Sequence, residues 1–496
     1  MRSAILLLLI VCVIHLPALR GEFVWDDEDT VIEDPCPGLS WWRLFLPAAF
    51  QQCAGELGYR PLVAISHDFD AAVWGDRPAG HHLTNIIIHS LVALLLFMLI
   101  RDIGYTAGTA VIGTLLVSVH PLTVEPVSAI SFRTDIMATL FMVGTLLFAR
   151  RSRFVPALLA MLCALLCKET ALLLPIMVLL VNKRRNLPLS AVMAVLSAAF
   201  ILLRIGFYRS PGEAELQFIG GSFETAFANA PVMLFRAAGH FFYPRPCPDR
   251  SSITLASHPC VIASWLGLVI GLLGLLYLFR KQRRMAPWLS VILLLFLPFL
   301  GLYPLKMVLA DRYMYAPLIF TGIPLASLVH HCTGKWKYGL IGLILCCEIW
   351  ISLITQPMWW NEEILFRKTA LCAPESAGAR YNYGRSLVRL GRYSEAKEEL
   401  EEALSLNPAY TSARLALGVA QYYNGHYEEA ILSYRQAEGI GGQDPRIAVN
   451  IARAYLGMKD TTQAEKELNR AFSLDTDHDM AVALRDSILE NRNSLP

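Results

Sequence analysis

Through its first 360 residues the chain repeats one pattern, a run of apolar positions closed by a short polar stretch. Runs stand near residues 3–19, 82–100, 106–119, 134–149, 154–167, 170–182, 189–207, 261–279, 287–304, 313–330 and 338–355. A membrane-crossing helix needs about 20 mostly apolar residues. The pattern therefore predicts about 11 transmembrane helices, some of them short. The first run follows Met1-Arg2 as a signal peptide would, but no convincing small-x-small site precedes Gly21, so we read it as a membrane anchor. Two longer polar stretches, 20–81 and 208–260, read as loops on one side of the membrane. Residues 230–243 are apolar but carry Arg236 and His240, which fits a re-entrant or interfacial helix.

Beyond residue 356 the pattern changes to a self-similar one with a period of 34. Gly384 recurs as Gly418, Ala396 as Ala430 and Ala464, Ala403 as Ala437 and Ala471, Gly391 as Gly425, and Pro374 as Pro408. This is the tetratricopeptide pattern, in which small residues sit where the two helices of a repeat cross and a proline closes the second. Repeats are expected at about 377–410, 411–444 and 445–478, with a capping helix at 479–491 that hides the last apolar face. The fold class is all-α: a polytopic membrane helical bundle over 1–356, then a tetratricopeptide-repeat α-solenoid over 357–496. The array offers a concave surface for a protein partner and no chemistry of its own.

Charge sharpens this division. From Asn361 to the end lie 36 of the 84 Asp, Glu, Lys and Arg residues, so 48 are spread over the first 360. The front belongs in a bilayer and the back in water. The net charge of +2, with no basic run interleaved with aromatics, excludes nucleic-acid binding by bulk electrostatics. Arg101, Arg150 to Arg153, Lys183 to Arg185, Arg280 to Arg284 and Lys335 to Lys337 all fall in cytoplasmic loops if the amino terminus is cytoplasmic. The two long loops and the repeats are then outside. The compact loops and brief array favour a bacterial inner membrane with periplasmic repeats; an endoplasmic reticulum with lumenal repeats is the alternative. Cys36/Cys53 and Cys247/Cys260 each share an outside loop where disulfides could form, or they are free small hydrophobes.

The outside ends of the spans collect the residues capable of chemistry. Asp26 and Asp27 follow the first span, with Glu28 and Asp29 behind them. Paired carboxylates there suit a general base or a divalent metal site, against the blander reading of a solvated acidic turn. Further along stand Arg60, His82, Asn85, His89, Arg133, Asp135, Lys168, Glu169, Arg312 and Tyr313. His82, Asn85 and His89 share one helical face. They suit interhelical hydrogen bonds better than zinc, for which the spacing is wrong. Nucleotide-binding motifs are absent, which disfavours a soluble nucleotide donor.

FVWDD after the first helix, YRPL, HHLTNIIIH, VHPLTVEPVSAISFRTD, CKETALLLP, DRYMYAP and a closing helix that leads into repeats form an ordered set. Together they resemble the membrane-embedded, tetratricopeptide-repeat-containing protein O-mannosyltransferases of the GT-C glycosyltransferase superfamily, over essentially the whole chain. The resemblance implies a polyprenyl-phosphate donor, mannose as the usual sugar and a Ser or Thr hydroxyl of a protein acceptor. The chain departs from the family in its short array and at Trp25 and Thr134, where Phe and Ala are usual. On this reading Asp26 or Asp27 takes the acceptor proton. Arg60, Arg133, Lys168 and Arg312, with His82 as a donor, hold the departing phosphate. His89, Asn85, Asp135, Glu169 and Tyr313 complete the donor site. One base without a second nucleophile implies inversion. A metal bridging Asp26 and Asp27, or charge-balancing cations alone, would serve the phosphate, and no other cofactor is expected. The competing readings are a glycan polymerase or ligase that uses a lipid-linked sugar, and a non-enzymatic membrane scaffold acting through its repeats. A transporter fits less well, because the polar residues gather at one face instead of the midplane.

Overall fold

The computed structural model describes the chain except residues 1, 28–29, 32–40, 48, 51–57, 182, 208–217, 219–220, 245–246, 249–254, 282–283, 303–308, 476–478 and 494–496. The described residues form helices and connecting turns, with no strand among them, and divide into two units, Met1–Asn361 and Glu362–Pro496.

The first unit contains α1 (Arg2–His15), α2 (Pro61–Trp74), α3 (Pro78–Ile103), α4 (Ala107–Ser118), α5 (Val124–Ser128), α6 (Arg133–Arg150), α7 (Phe154–Leu165), α8 (Leu174–Val181), α9 (Lys183–Phe207), α10 (Phe223–Phe242), α11 (His258–Lys281), α12 (Ala286–Phe296), α13 (Tyr315–His331) and α14 (Trp336–Thr355). Among the described residues six helices are long and apolar enough to cross a membrane: Arg2–Arg20, Pro78–Ile103, Asn186–Ile205, His258–Lys281, Asp311–His331 and Trp336–Trp359. A seventh crossing forms if α4 and α5, bent by 63°, act together. By length and composition together the described residues hold six or seven such helices, against the about 11 expected from apolar runs; α6 spans 18 residues but carries Arg133, Asp135 and Arg150. Phe154–Leu165, Glu169–Val181 and Ala286–Phe299 are apolar but short. At 1.5 Å per residue a 12-residue helix reaches roughly 18 Å, well under a hydrocarbon core of about 30 Å. Charges at Lys168 and Glu169 break what reads in sequence as two adjacent spans. Residues 230–243 lie in α10, which carries Arg236 and His240 and is not among the six.

Helix α6 sets the axis of the site. Its first turn carries Arg133 and Asp135, and at its far end Arg150 and Arg151 both pair with Asp102 at 3.0 Å. Helices α4 and α13 cross where two glycines meet. A Cβ on Gly113 would stand 2.6 Å from Ala326 Cβ and 2.7 Å from the Gly322 carbonyl. Small residues allow this approach, as at membrane helix interfaces generally. Leu96, Val117, Leu146, Phe320 and Ile323 fill the core around it.

The second unit opens with α15 (Glu362–Cys372) and continues in antiparallel pairs: α16 (Ala377–Arg389) with α17 (Tyr393–Leu406), α18 (Thr411–Tyr423) with α19 (Tyr427–Gly441), and α20 (Pro445–Gly457) with α21 (Thr461–Leu474), then α22 (Asp479–Asn493). A Cβ on Gly384 would stand 2.6 Å from Leu400, and one on Gly418 would stand 2.5 Å from Tyr434, so each pair closes over a missing side chain. Ala396, Ala403, Ala430, Ala437, Ala464 and Ala471 are fully buried.

The turn inside each repeat needs a left-handed residue. Gly391 (φ +74°) and Gly425 (φ +80°) supply it in the first two repeats, but in the third Lys459 takes the same conformation at φ +64°. A side chain there costs about 1 kcal/mol relative to glycine. Lys459→Gly should therefore stabilise the repeat unit by about 1 kcal/mol, read as a higher denaturation midpoint of the full chain at unchanged helical content.

Candidate active site

The site begins with a strained turn. Trp25 holds φ +59°, uncommon for a bulky residue, and its ring stacks on Trp359 at 6.3 Å and meets the Phe132 ring edge-on at 6.1 Å. The strained backbone turns the next two carboxylates apart. Asp27 is fully buried; its Oδ2 accepts from the Val24 N–H at 3.1 Å and its Oδ1 from the Ser131 N–H at 2.7 Å. Asp26 is exposed, and its carbonyl accepts from the Thr30 hydroxyl at 2.6 Å. Burial pushes the Asp27 carboxyl up to about 6, against the two hydrogen bonds that favour its ionised form. Glu28 and Asp29 lie outside the described residues. Among the described residues no group of three His, Cys, Asp or Glu stands close enough to hold a metal ion.

Four residues expected at the donor phosphate are instead buried beneath the surface. Arg133 is fully buried and all five of its donors are used. Nε donates to Asn85 Oδ1 at 2.7 Å, Nη1 to the Ser66 carbonyl at 3.0 Å and its hydroxyl at 3.4 Å, and Nη2 to the His81 carbonyl at 3.1 Å and to Asp70. No donor is left for a phosphate, so the expectation for Arg133 is corrected. Asn85 also donates to the carbonyls of Val127 and Ala129, which ties α3 to α5. His89 sits between the Tyr315 hydroxyl at 2.7 Å and the Ser118 carbonyl at 2.9 Å. His82 is buried with its ring against Gly21, where a Cβ would stand 2.7 Å from Nε2. Sequence reading missed Asp70, the counter-charge of this network, which also accepts from Thr84 at 2.7 Å. It falls in a stretch read as loop, although Pro61–Trp74 is helical.

The remaining predicted residues come together through ion pairs, with Arg60, Glu169, Arg312 and Tyr313 part-buried and Lys168 and Asp135 buried. Lys168 pairs with Asp135, Arg60 with Glu169 at 3.4 Å, Arg204 with Glu169, and Arg312 with Glu125 at 2.7 Å. Lys168 lies within electrostatic reach of both Arg60 and Arg312. Lys168 and Arg312 also share the Tyr313 ring, at 5.2 and 5.1 Å. Among these residues Arg60, Glu169 and Arg204 keep 30% of their side chains exposed. Arg204 and Phe132 were not anticipated; nothing local in the sequence marks either.

Comparisons with known proteins agree with the two-part architecture. Residues 367–445 and 423–488 match tetratricopeptide-repeat families. A human protein named Protein O-mannosyl-transferase TMTC1 is 24% identical over 493 residues, covering 82% of this chain and 55% of that protein. Protein O-mannosyl-transferase F38B6.6 of Caenorhabditis elegans is 21% identical and covers 82% of this chain and 63% of that protein. The solved ArnT of Cupriavidus metallidurans, bound to undecaprenyl phosphate, superposes with a TM-score of 0.38 at 15% identity, covering 94% of this chain and 77% of that one. The chain is an all-α, multi-pass membrane protein that ends in tetratricopeptide repeats. Over most of its length it is similar to the TMTC protein O-mannosyl-transferases, and it spans between half and two thirds of the length of these relatives.

The Arg133–Asp70 pair gives a direct stability prediction. Removing one partner of a buried pair strands the other and costs about 3–5 kcal/mol. Arg133→Met should lower the melting temperature of the purified protein sharply, and adding Asp70→Leu should recover most of the loss.

Proposed function

We propose that the chain is a membrane glycosyltransferase that moves a sugar, mannose in the first instance, from a polyprenyl-phosphate donor to a Ser or Thr hydroxyl of a protein. The observation that carries this reading is that Phe132 contacts both Trp25, the neighbour of the exposed Asp26, and Arg312, one of the ion-paired cations. Similarity to named O-mannosyl-transferases supports it independently.

Lys168, Arg60 and Arg312 hold the donor phosphate, while Asp135, Glu169 and Glu125 keep them ionised and in place. Charge that builds on the phosphate as the glycosidic bond breaks is met by groups already oriented for it. The acceptor oxygen attacks the anomeric carbon, its proton passes to Asp26, and the lipid phosphate leaves with the bonding electrons. A single displacement inverts the configuration. Asp27 does not touch the substrate in this scheme; it pins the turn that presents Asp26. Arg133, Asn85, His82 and His89 form the support beneath. Cys247 and Cys372 are disulfide-bonded, which fits the second long loop and the repeat unit to an oxidising, non-cytoplasmic compartment. Cys260 is a free, exposed thiol, one of the two readings the sequence left open for it, and Cys36 and Cys53 lie outside the described residues.

Purified protein in lipid, given polyprenyl-phosphate mannose and a Ser/Thr peptide, tests the roles. Asp26→Asn should lower kcat by about 10²- to 10⁴-fold. Full activity would remove Asp26 from the mechanism, and label in glycan instead of peptide would indicate a polymerase. Lys168→Ala and Arg312→Ala should raise the donor KM.

The acid side of the pH profile tests Asp27. As pH falls through about 6 its carboxyl gains a proton and one of its two N–H bonds is lost, so transfer should fall by about tenfold per unit. Stability moves the other way. Between the ordinary value near 3.8 and about 6 the folded chain binds a proton that the unfolded chain does not, so lowering pH stabilises the fold through this group. Activity should thus drop in that window without unfolding, and Asp27→Asn should flatten the limb.

A further inference from the structure

Group transfer requires the proton acceptor and the phosphate-holding cations at a fixed separation, and a misplacement of about 1 Å can cost roughly 10²-fold in rate. Here the two arms come from distant parts of the chain, Asp26 near its start and Arg312 far along it. Phe132 stands between them. Its ring meets the Trp25 ring edge-on at 6.1 Å and the Trp359 ring at 6.0 Å, while the Arg312 guanidinium carbon lies 4.1 Å from its centroid. The ring is 5% exposed. Its backbone is pinned on both sides: the Ser131 N–H holds Asp27, and Arg133 is locked in the buried network around Asp70. The ring's place is therefore set by its own chain, and both arms rest against it.

We propose that Phe132 is a positioning residue that fixes the acceptor-side carboxylate turn relative to the donor-side guanidinium. One face carries the cation, because an aromatic ring attracts a guanidinium placed over it. The other contacts hold Trp25 in its left-handed conformation and so keep Asp26 out and Asp27 in. Arg312 remains ion-paired to Glu125, so the ring steers its charge without having to neutralise it. This inference rests on the transferase reading for its kinetic consequence, but the mechanical coupling it describes does not.

Phe132→Leu keeps a bulky apolar group and loses the ring face; Phe132→Tyr keeps the face. In lipid-reconstituted protein, Phe132→Leu should lower kcat by about 10²-fold and leave the donor KM within about threefold. Phe132→Tyr should restore at least half of the wild-type rate. A merely structural residue would shift KM and melting temperature together with kcat and would not be rescued in this way. Hydrogen exchange without any substrate separates the coupling from the chemistry. In Phe132→Leu, amides of residues 22–27 and 311–314 should both exchange faster, by at least about threefold, at a melting temperature within a few degrees of wild type. If both segments loosen but wild type transfers no sugar, the coupling stands and the transferase reading falls. If neither segment changes, or only one does, or kcat stays within twofold of an active wild type, the proposal is overturned.

Discussion

A fully buried arginine whose five donors are all satisfied underlies everything at the outer end of this molecule. Arg133 opens α6 and reaches Asp70 and Ser66 on α2, Asn85 and the His81 carbonyl on α3, so three helices share one guanidinium. At this depth an unpaired charge is prohibitive, and each partner must be placed before the pair becomes tolerable. The consequence lies in the residues beside it. With Arg133 fixed, Ser131 presents its N–H to Asp27, Phe132 lies between Trp25 and Arg312, and Asp135 meets Lys168. Five consecutive residues thus organise the carboxylate turn, the aromatic spacer and the cation cluster.

The site separates groups of the same chemistry by environment. Two adjacent aspartates differ because one turn of strained backbone buries the second against two N–H donors and leaves the first at the surface. The cations divide in the same way. Arg133 is buried and saturated and serves the fold, whereas Lys168 and Arg312 pair with Asp135 and Glu125, and Arg60 shares Glu169 with the part-buried Arg204. On the proposed reading, a phosphate entering there would meet charge already oriented by the protein, with little reorganisation left for the moment of transfer.

Much of this was legible in the sequence, because the signals were periodic or chemical. The period of 34 placed repeats at about 377–410, 411–444 and 445–478, and the paired helices α16 to α21 fall within those intervals. Residue type and position gathered Asp26, Asp27, Arg60, Asp135, Lys168, Glu169, Arg312 and Tyr313 at one end of the bundle. What sequence could not give was pairing. Arg133 and Lys168 read alike as cations at span ends, and only the position of Asp70, in a helix hidden within an apparent loop, separates a structural arginine from a lysine at an open site. Apolar content does not separate long helices from short ones, and among the described residues Phe154–Leu165, Glu169–Val181 and Ala286–Phe299 have the composition of a span without its length.

The central claim is that one exposed carboxylate and one cation cluster perform a single displacement. The stereochemistry of the product tests it most directly. Given a polyprenyl-phosphate sugar of defined anomeric configuration, NMR of the glycopeptide formed by the lipid-reconstituted protein should show the opposite configuration at the anomeric carbon. Retention would require either a covalent intermediate on a second carboxylate or same-face attack on an ion pair, and would contradict the account.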